Sequence, residues 1–151
     1  IPVRIPSSRR TLAVLFTLGV LMLGFMLAWP KYFFPFEWLC VFFIIEAVNG
    51  WLGYNTLLKR TDRKDWRAVA ALFTGCIICG FFWEMWNFYA FPKWQYSIPF
   101  VDVLHIFEMP LLGYFGYLPF ALELYALFNL VVGITGAGNI DRTVVIESDA
   151  A

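Results

Sequence analysis

The sequence predicts an all-α, polytopic membrane protein of about four transmembrane helices plus a short outer interfacial or re-entrant helix, and three observations predict it. Of 151 residues, 61% are hydrophobic and only 15% charged, well under the roughly 25% charged of an average soluble domain. The apolar residues gather in stretches of roughly 20, the length a helix needs to cross hydrocarbon. Nine of the eleven Lys and Arg residues fall in segments that alternate threading puts on one side. The zero net charge lacks the basic field that nucleic acid requires, so no nucleic-acid partner is expected.

The first span, residues 11–29, contains no ionisable residue and stops at Trp29-Pro30-Lys31-Tyr32, an aromatic belt followed by a tight turn. The second, residues 34–58, holds Pro35, Glu37, Glu46, Asn49, Gly50 and Gly53 and is longer than a crossing needs. Residues 59–67 carry five positive charges and two aspartates, which assigns them to water. A third span, residues 68–91, ends in an aromatic-rich edge that Pro92 stops. Residues 92–116 mix apolar side chains with Asp102, His105 and Glu108, and 101–108 within them read as the interfacial or re-entrant helix. The fourth span, residues 117–134, has Pro119 in its first turn and ends at Gly136-Ala137-Gly138. Residues 1–135 thus read as one transmembrane helical domain and 136–151 as a polar cytoplasmic tail. The chain begins at Ile1 with ten residues too polar for a signal h-region, which reads as a processed or incomplete start, with residues 11–30 as an uncleaved signal anchor.

Four crossings put the N-terminus, residues 59–67 and the C-terminus together. Arg4, Arg9, Arg10, Lys59, Arg60, Arg63, Lys64, Arg67 and Arg142 then share one side, and only Lys31 and Lys93 the other. By the positive-inside rule both termini are cytoplasmic, in a protein expected in the bacterial inner membrane.

Carboxylates mark the place to look for function, because a glutamate in hydrocarbon is expensive. Glu37, Glu84 and Glu123 fall within about 5 to 11 Å of the outer boundary at a rise of roughly 1.5 Å per residue. Glu108, His105 and Asp102 approach from the outer segment, and only Glu46 is deeper. In span three, Cys76, Gly80, Glu84 and Asn87 follow at spacings of four, four and three, one stripe of a helix whose small residues admit a close neighbour. In span two Glu46, Asn49, Gly50 and Gly53 share a face, and Glu37 lies about half a turn away. The candidate catalytic carboxylates are Glu37, Glu84, Glu108 and Glu123, with Trp83, Trp86, Asn87, Asp102 and His105 as substrate-binding residues. Against this stands the plainer reading that a buried carboxyl hydrogen-bonded to a neighbour only ties helices together.

His105, the single histidine, is either an interfacial hydrogen-bonding residue or, with Glu108 three residues on and Glu84 or Glu123 nearby, part of a hard metal site. Whether a metal is bound stays open. Cys76 and Cys79 form a C-x-x-C, but they sit mid-span with no loop cysteine to exchange with and read as packing residues. The chain holds 17 Phe, 7 Tyr and 7 Trp. Phe81, Phe82, Trp83, Trp86, Phe88 and Tyr89 flank Glu84, a setting that suits protonation of an alkene and shielding of the cation by π faces. The same walls fit a bound carotenoid, quinone or pigment.

One stretch resembles a known family. Pro35-Phe36-Glu37-Trp38, with an echo at Pro119-Phe120-Ala121-Leu122-Glu123, is similar to the Pro-x-Glu-Glu signature that opens apolar spans in small bacterial lycopene cyclases of the heterodimeric type and their fungal fused relatives. Trp38 stands where the signature has its second Glu. The resemblance implies an isomerase that cyclises the ends of a linear carotene by acid chemistry with no required cofactor, and Glu37 as the acid. The functional expectation is therefore a protein binding or acting on a long isoprenoid or carotenoid-type lipid at an outer-leaflet carboxylate pocket. The alternative is a non-catalytic subunit of a larger energy-transducing membrane complex, packed against other membrane subunits and lipid.

Overall fold

The computed structural model describes residues 3–96 and 102–136, and they are mostly helical. Four helical stretches are long and apolar enough to cross a membrane: Arg9–Ala28, Pro30–Leu52, Arg67–Tyr89 and Leu111–Thr135. Helix α1 (Arg9–Ala28) starts at Ser8, whose hydroxyl accepts the Thr11 amide at 3.1 Å, and breaks at Trp29 before Pro30. A proline is tolerated in the first turn because its missing N–H is one that no helix would use. Pro30 accordingly opens the four-residue α2 (Pro30–Phe33), which passes through a 3-10 turn, Phe34–Phe36, into α3 (Glu37–Leu52).

Gly53 ends α3 in the left-handed region, at φ 83°, where a residue without Cβ is unstrained. The second span therefore stops six residues short of the predicted Leu58. The chain doubles back instead: Thr56 caps a short helix, α4 (Leu57–Asp62), in which Leu57, Leu58 and Thr61 are buried. Glu46 accepts the Leu58 amide at 2.8 Å. Since Glu46 lies six residues before the end of α3, the start of α4 sits about 9 Å back along that helix. The turn that precedes the charged residues 59–67 is wedged among the helices and anchors them.

Helix α5 (Arg67–Tyr89) leads to the outer segment, and α6 (Tyr117–Thr135) closes the described chain. The expected helix over 101–108 is not formed by its described residues. Residues 105–110 make a small antiparallel hairpin, β1 (His105–Ile106) with β2 (Met109–Pro110), in register His105 to Pro110 and Ile106 to Met109. Leu104 and Phe107 have positive φ, 54° and 58°, which a right-handed helix forbids, and Pro110 biases Met109 to extended backbone. Val101 and the predicted tail 136–151, apart from Gly136, lie outside the described residues.

In space the long helices form a row, α1 on α3, α3 on α6 and α6 on α5. The first contact is close because of glycine. A Cβ on Gly19 would meet the Cys40 carbonyl oxygen at 2.8 Å, and one on Gly50 would meet Leu12 at 2.5 Å. Trp38 stacks edge-on to Phe120 at the start of α3 and α6, and Tyr54, just past α3, lies against Gly133 near the end of α6. These two contacts make α3 and α6 parallel. Midway, Asn49 donates to the Ala126 carbonyl at 2.8 Å. The N-terminal segment folds onto the α4 turn: Arg4 pairs with Asp62 at 2.8 Å, and Trp66 donates its indole N–H to the Val3 carbonyl at 2.8 Å.

Candidate functional site

Along α5 the buried residues are Gly80, Glu84 and Asn87, three of the four positions of the stripe read from the sequence. Gly80 and Glu84 meet Tyr117 at the start of α6, and Glu84 and Asn87 meet Tyr96 and Trp94 of the outer segment. Gly80 accommodates the Tyr117 ring, which a Cβ would approach to 2.8 Å. Glu84 is completely buried and its Oε1 accepts two phenol hydrogens, from Tyr117 at 2.6 Å and from Tyr96 at 2.8 Å. Asn87 binds the Trp94 backbone reciprocally, accepting its N–H at 2.7 Å and donating to its carbonyl at 3.0 Å. The strap 92–96 is thereby fixed over the carboxyl.

The other oxygen of Glu84, Oε2, is buried and has no hydrogen-bond partner among the described residues. A buried polar atom left in that state costs about 1–3 kcal/mol, so Glu84 is an expensive residue to keep. Outside the spans, burial pushes the Tyr96 phenol above its ordinary range, and its hydrogen bond to Glu84 pushes it the same way. Tyr96 therefore holds its proton and serves as donor. Tyr114 extends the phenol group, its ring 6.0 Å from that of Tyr117.

The four candidate carboxylates do not form one cluster: Glu37 and Glu123 are neighbours, away from Glu84. Glu123 is buried with its Oε2 unpartnered among the described residues, but it lies six residues beyond Tyr117 on α6, about 9 Å along the axis. Its charged neighbour is Glu37, which is exposed at the start of α3 and sits beside the buried Cys40. Glu108 pairs with Lys93, whose ammonium also lies 5.0 Å from the centre of the Phe88 ring. His105 Nε2 is 2.9 Å from Asp102 Oδ1, both exposed. The metal arrangement of His105 and Glu108 on one helical face is corrected by the hairpin, and among the described residues no group of three His, Cys, Asp or Glu could hold a metal ion.

Trp83 and Trp86 stand outside the enclosure, 52% and 64% exposed, so the aromatic residues flanking Glu84 in sequence do not wall it in space. Phe107 covers part of that surface, its ring 5.4 Å from Phe81 and 5.8 Å from Phe88. The residues that do enclose Glu84, Tyr96 and Tyr117, were missed. The available signal was Gly80, one turn before Glu84, which calls for a large flat partner. Cys76 is partly exposed and Cys79 exposed, both as free thiols.

Searches against family models, curated proteins and solved structures find no match to the chain, so its function is read from its own residues.

Proposed function

We propose that the chain is an integral membrane protein of the bacterial inner membrane, with both termini and the α4 turn cytoplasmic, that binds and acts on a long isoprenoid or carotenoid-type lipid, with Glu84 as its proton donor. One observation carries the reading: both phenols donate to Oε1 of Glu84, while Oε2 is buried and, among the described residues, unpartnered. Oε2 is then the oxygen able to carry a proton and release it. Delivered to a terminal alkene carbon, that proton leaves a cation which closes on a neighbouring double bond. Loss of an adjacent proton to the Glu84 carboxylate restores the acid, so the product is an isomer and no electrons are exchanged. Access requires Tyr96 to swing away with the strap that Asn87 holds.

This moves the acid from Glu37, which the resemblance to lycopene cyclases implies, to Glu84. Glu37 is exposed and Glu84 is enclosed, and enclosure is what protects a cation from water. The test is to express the full chain, and Glu84→Gln, in cells that accumulate a linear carotene. Gln is isosteric and still accepts both phenol hydrogens. Cyclised product from the parent and none from Glu84→Gln, at equal membrane content, is the expected result. Equal turnover by the two proteins would sink the assignment.

A second reading, a non-catalytic subunit of a larger energy-transducing membrane complex, is favoured by the ends of the row. Helices α1 and α5 each have one packed neighbour among the long helices and expose large side chains, among them Phe25, Leu27, Phe82, Trp83 and Trp86. Purification in a mild detergent separates the two: stoichiometric partner chains support the subunit, and an isolated chain carrying isoprenoid supports the enzyme.

A further inference from the structure

At the opposite end of the bundle from Glu84, the doubling back of α4 leaves a cleft between that turn and α6. It has a volume of about 230 Å³ and is lined by Asn55, Thr56, Lys59, Arg60, Arg63, Asp65 and Tyr125. Three cations therefore face one anion, and that anion is already engaged. Asp65 accepts from the Arg67 guanidinium at 2.9 and 3.2 Å, which holds its carboxyl below the usual carboxylate range. Asp62, the other acid of the loop, is taken by Arg4. Among the described residues neither Arg60 nor Arg63 forms an ion pair. Lys59 gives two of its N–H groups to the Gly53 and Tyr54 carbonyls, and an ammonium has three.

The apolar side of the cleft supplies a further donor. Tyr125 lines it, and its hydroxyl is buried without a partner among the described residues. One turn on, Phe128 is exposed, and Val131 and Ile134 continue the exposed apolar surface toward the end of α6.

We propose that this cleft binds a phosphate monoester or diester, and that the phosphate is the headgroup of an anionic phospholipid of the cytoplasmic leaflet. The guanidinium groups of Arg60 and Arg63 supply charge-assisted, fork-shaped donors for phosphate oxygens, with the third Lys59 proton and the Tyr125 hydroxyl completing the set. Basic pockets at helix ends on the cytoplasmic side suit such headgroups. The site is independent of the Glu84 reading; membrane insertion decides only where the phosphate comes from.

The test uses the full chain in maltoside micelles and reads its thermal unfolding midpoint at constant ionic strength. Soluble dioctanoyl phosphatidylglycerol, dioctanoyl phosphatidylcholine and inorganic phosphate are titrated against the parent, the double variant Arg60→Gln/Arg63→Gln, and Tyr125→Phe. Phosphatidylglycerol is expected to raise the midpoint saturably, with an apparent Kd weakened about tenfold or more in the double variant and about threefold in Tyr125→Phe. Phosphatidylcholine should act much more weakly. If inorganic phosphate protects the parent as well as phosphatidylglycerol does, and fails with the double variant, the site stands and its lipid source falls. Equal protection of parent and both variants, or equal effects of the two lipids, overturns the site.

Discussion

Glu84 and Gly80 show how a single missing side chain builds a site. Gly80 has no side chain to hold a neighbour off, so the Tyr117 ring lies against the α5 backbone and its hydroxyl reaches Glu84 at 2.6 Å. Gly80→Ala puts a methyl 2.8 Å from an aromatic ring that is tethered at both ends of its reach. Overpacking of that kind costs about 1–3 kcal/mol. Gly75, on the same helix, has nothing within 4 Å of the place a methyl would occupy, so Gly75→Ala should be neutral or gain up to about 1 kcal/mol of helix propensity. Unfolding of the two variants in micelles measures the difference; equal stabilities would mean that Tyr117 is not seated as described. The sequence made the Gly80, Glu84 and Asn87 stripe legible because three- and four-residue spacing defines a helix face directly. It concealed Tyr96 and Tyr117, which come from 12 and 33 residues away, because no local periodicity records which distant side chain fills a gap.

Two elements depart from their predicted form for reasons that are physical. Residues 59–67 look soluble by charge, yet α4 begins two residues earlier, at Leu57, and its apolar Leu57 and Leu58 are buried while Arg63 and Lys64 are exposed. Leu57 and Leu58, read from the sequence as the end of the second span, instead open the short helix that anchors the charged run. Residues 101–108 read as a helix by composition, yet the positive φ at Phe107 and the proline at 110 select a hairpin over 105–110. Glu46 holds α4 in place, and its role separates charge from hydrogen bonding. Glu46→Ala removes the acceptor of the Leu58 amide and should cost about 1–3 kcal/mol, whereas Glu46→Gln keeps an acceptor oxygen of the same reach and should cost clearly less. Hydrogen exchange at Leu58 is the direct measure, with fast exchange in Glu46→Ala and slow exchange in Glu46→Gln. Matching rates in the two variants would show that the amide is protected by burial alone.

At the scale of the whole molecule, charge and contact agree on which ends share a side. The positive-inside count groups the N-terminus with residues 59–67 from the sequence alone, and the Arg4–Asp62 pair and the Trp66 hydrogen bond to Val3 join the same two segments in space. The order of the row, α1, α3, α6, α5, was not legible: nearly every face is apolar, and glycine contacts such as Gly19 with Cys40 and Gly133 with Tyr54 decide which helices pair. With the four helices inserted as proposed above, orientation in a bilayer follows by threading. Lys31, in the turn after α1, and Lys64, after α4, are both exposed, and alternate crossing puts them on opposite sides. Lys31→Cys should react with a membrane-impermeant maleimide in spheroplasts, and Lys64→Cys in inverted inner-membrane vesicles. The native thiols make little background, since Cys40 is buried and Cys76 and Cys79 lie within α5, where hydrocarbon denies the thiolate and the reagent together. Labelling with the two sides exchanged would reverse the orientation, and would move the cationic cleft away from the cytoplasmic leaflet. Labelling of both positions in the same preparation, and of neither in the other, would contradict four crossings, because the turn at Lys31 and the turn at Lys64 would then face the same solution.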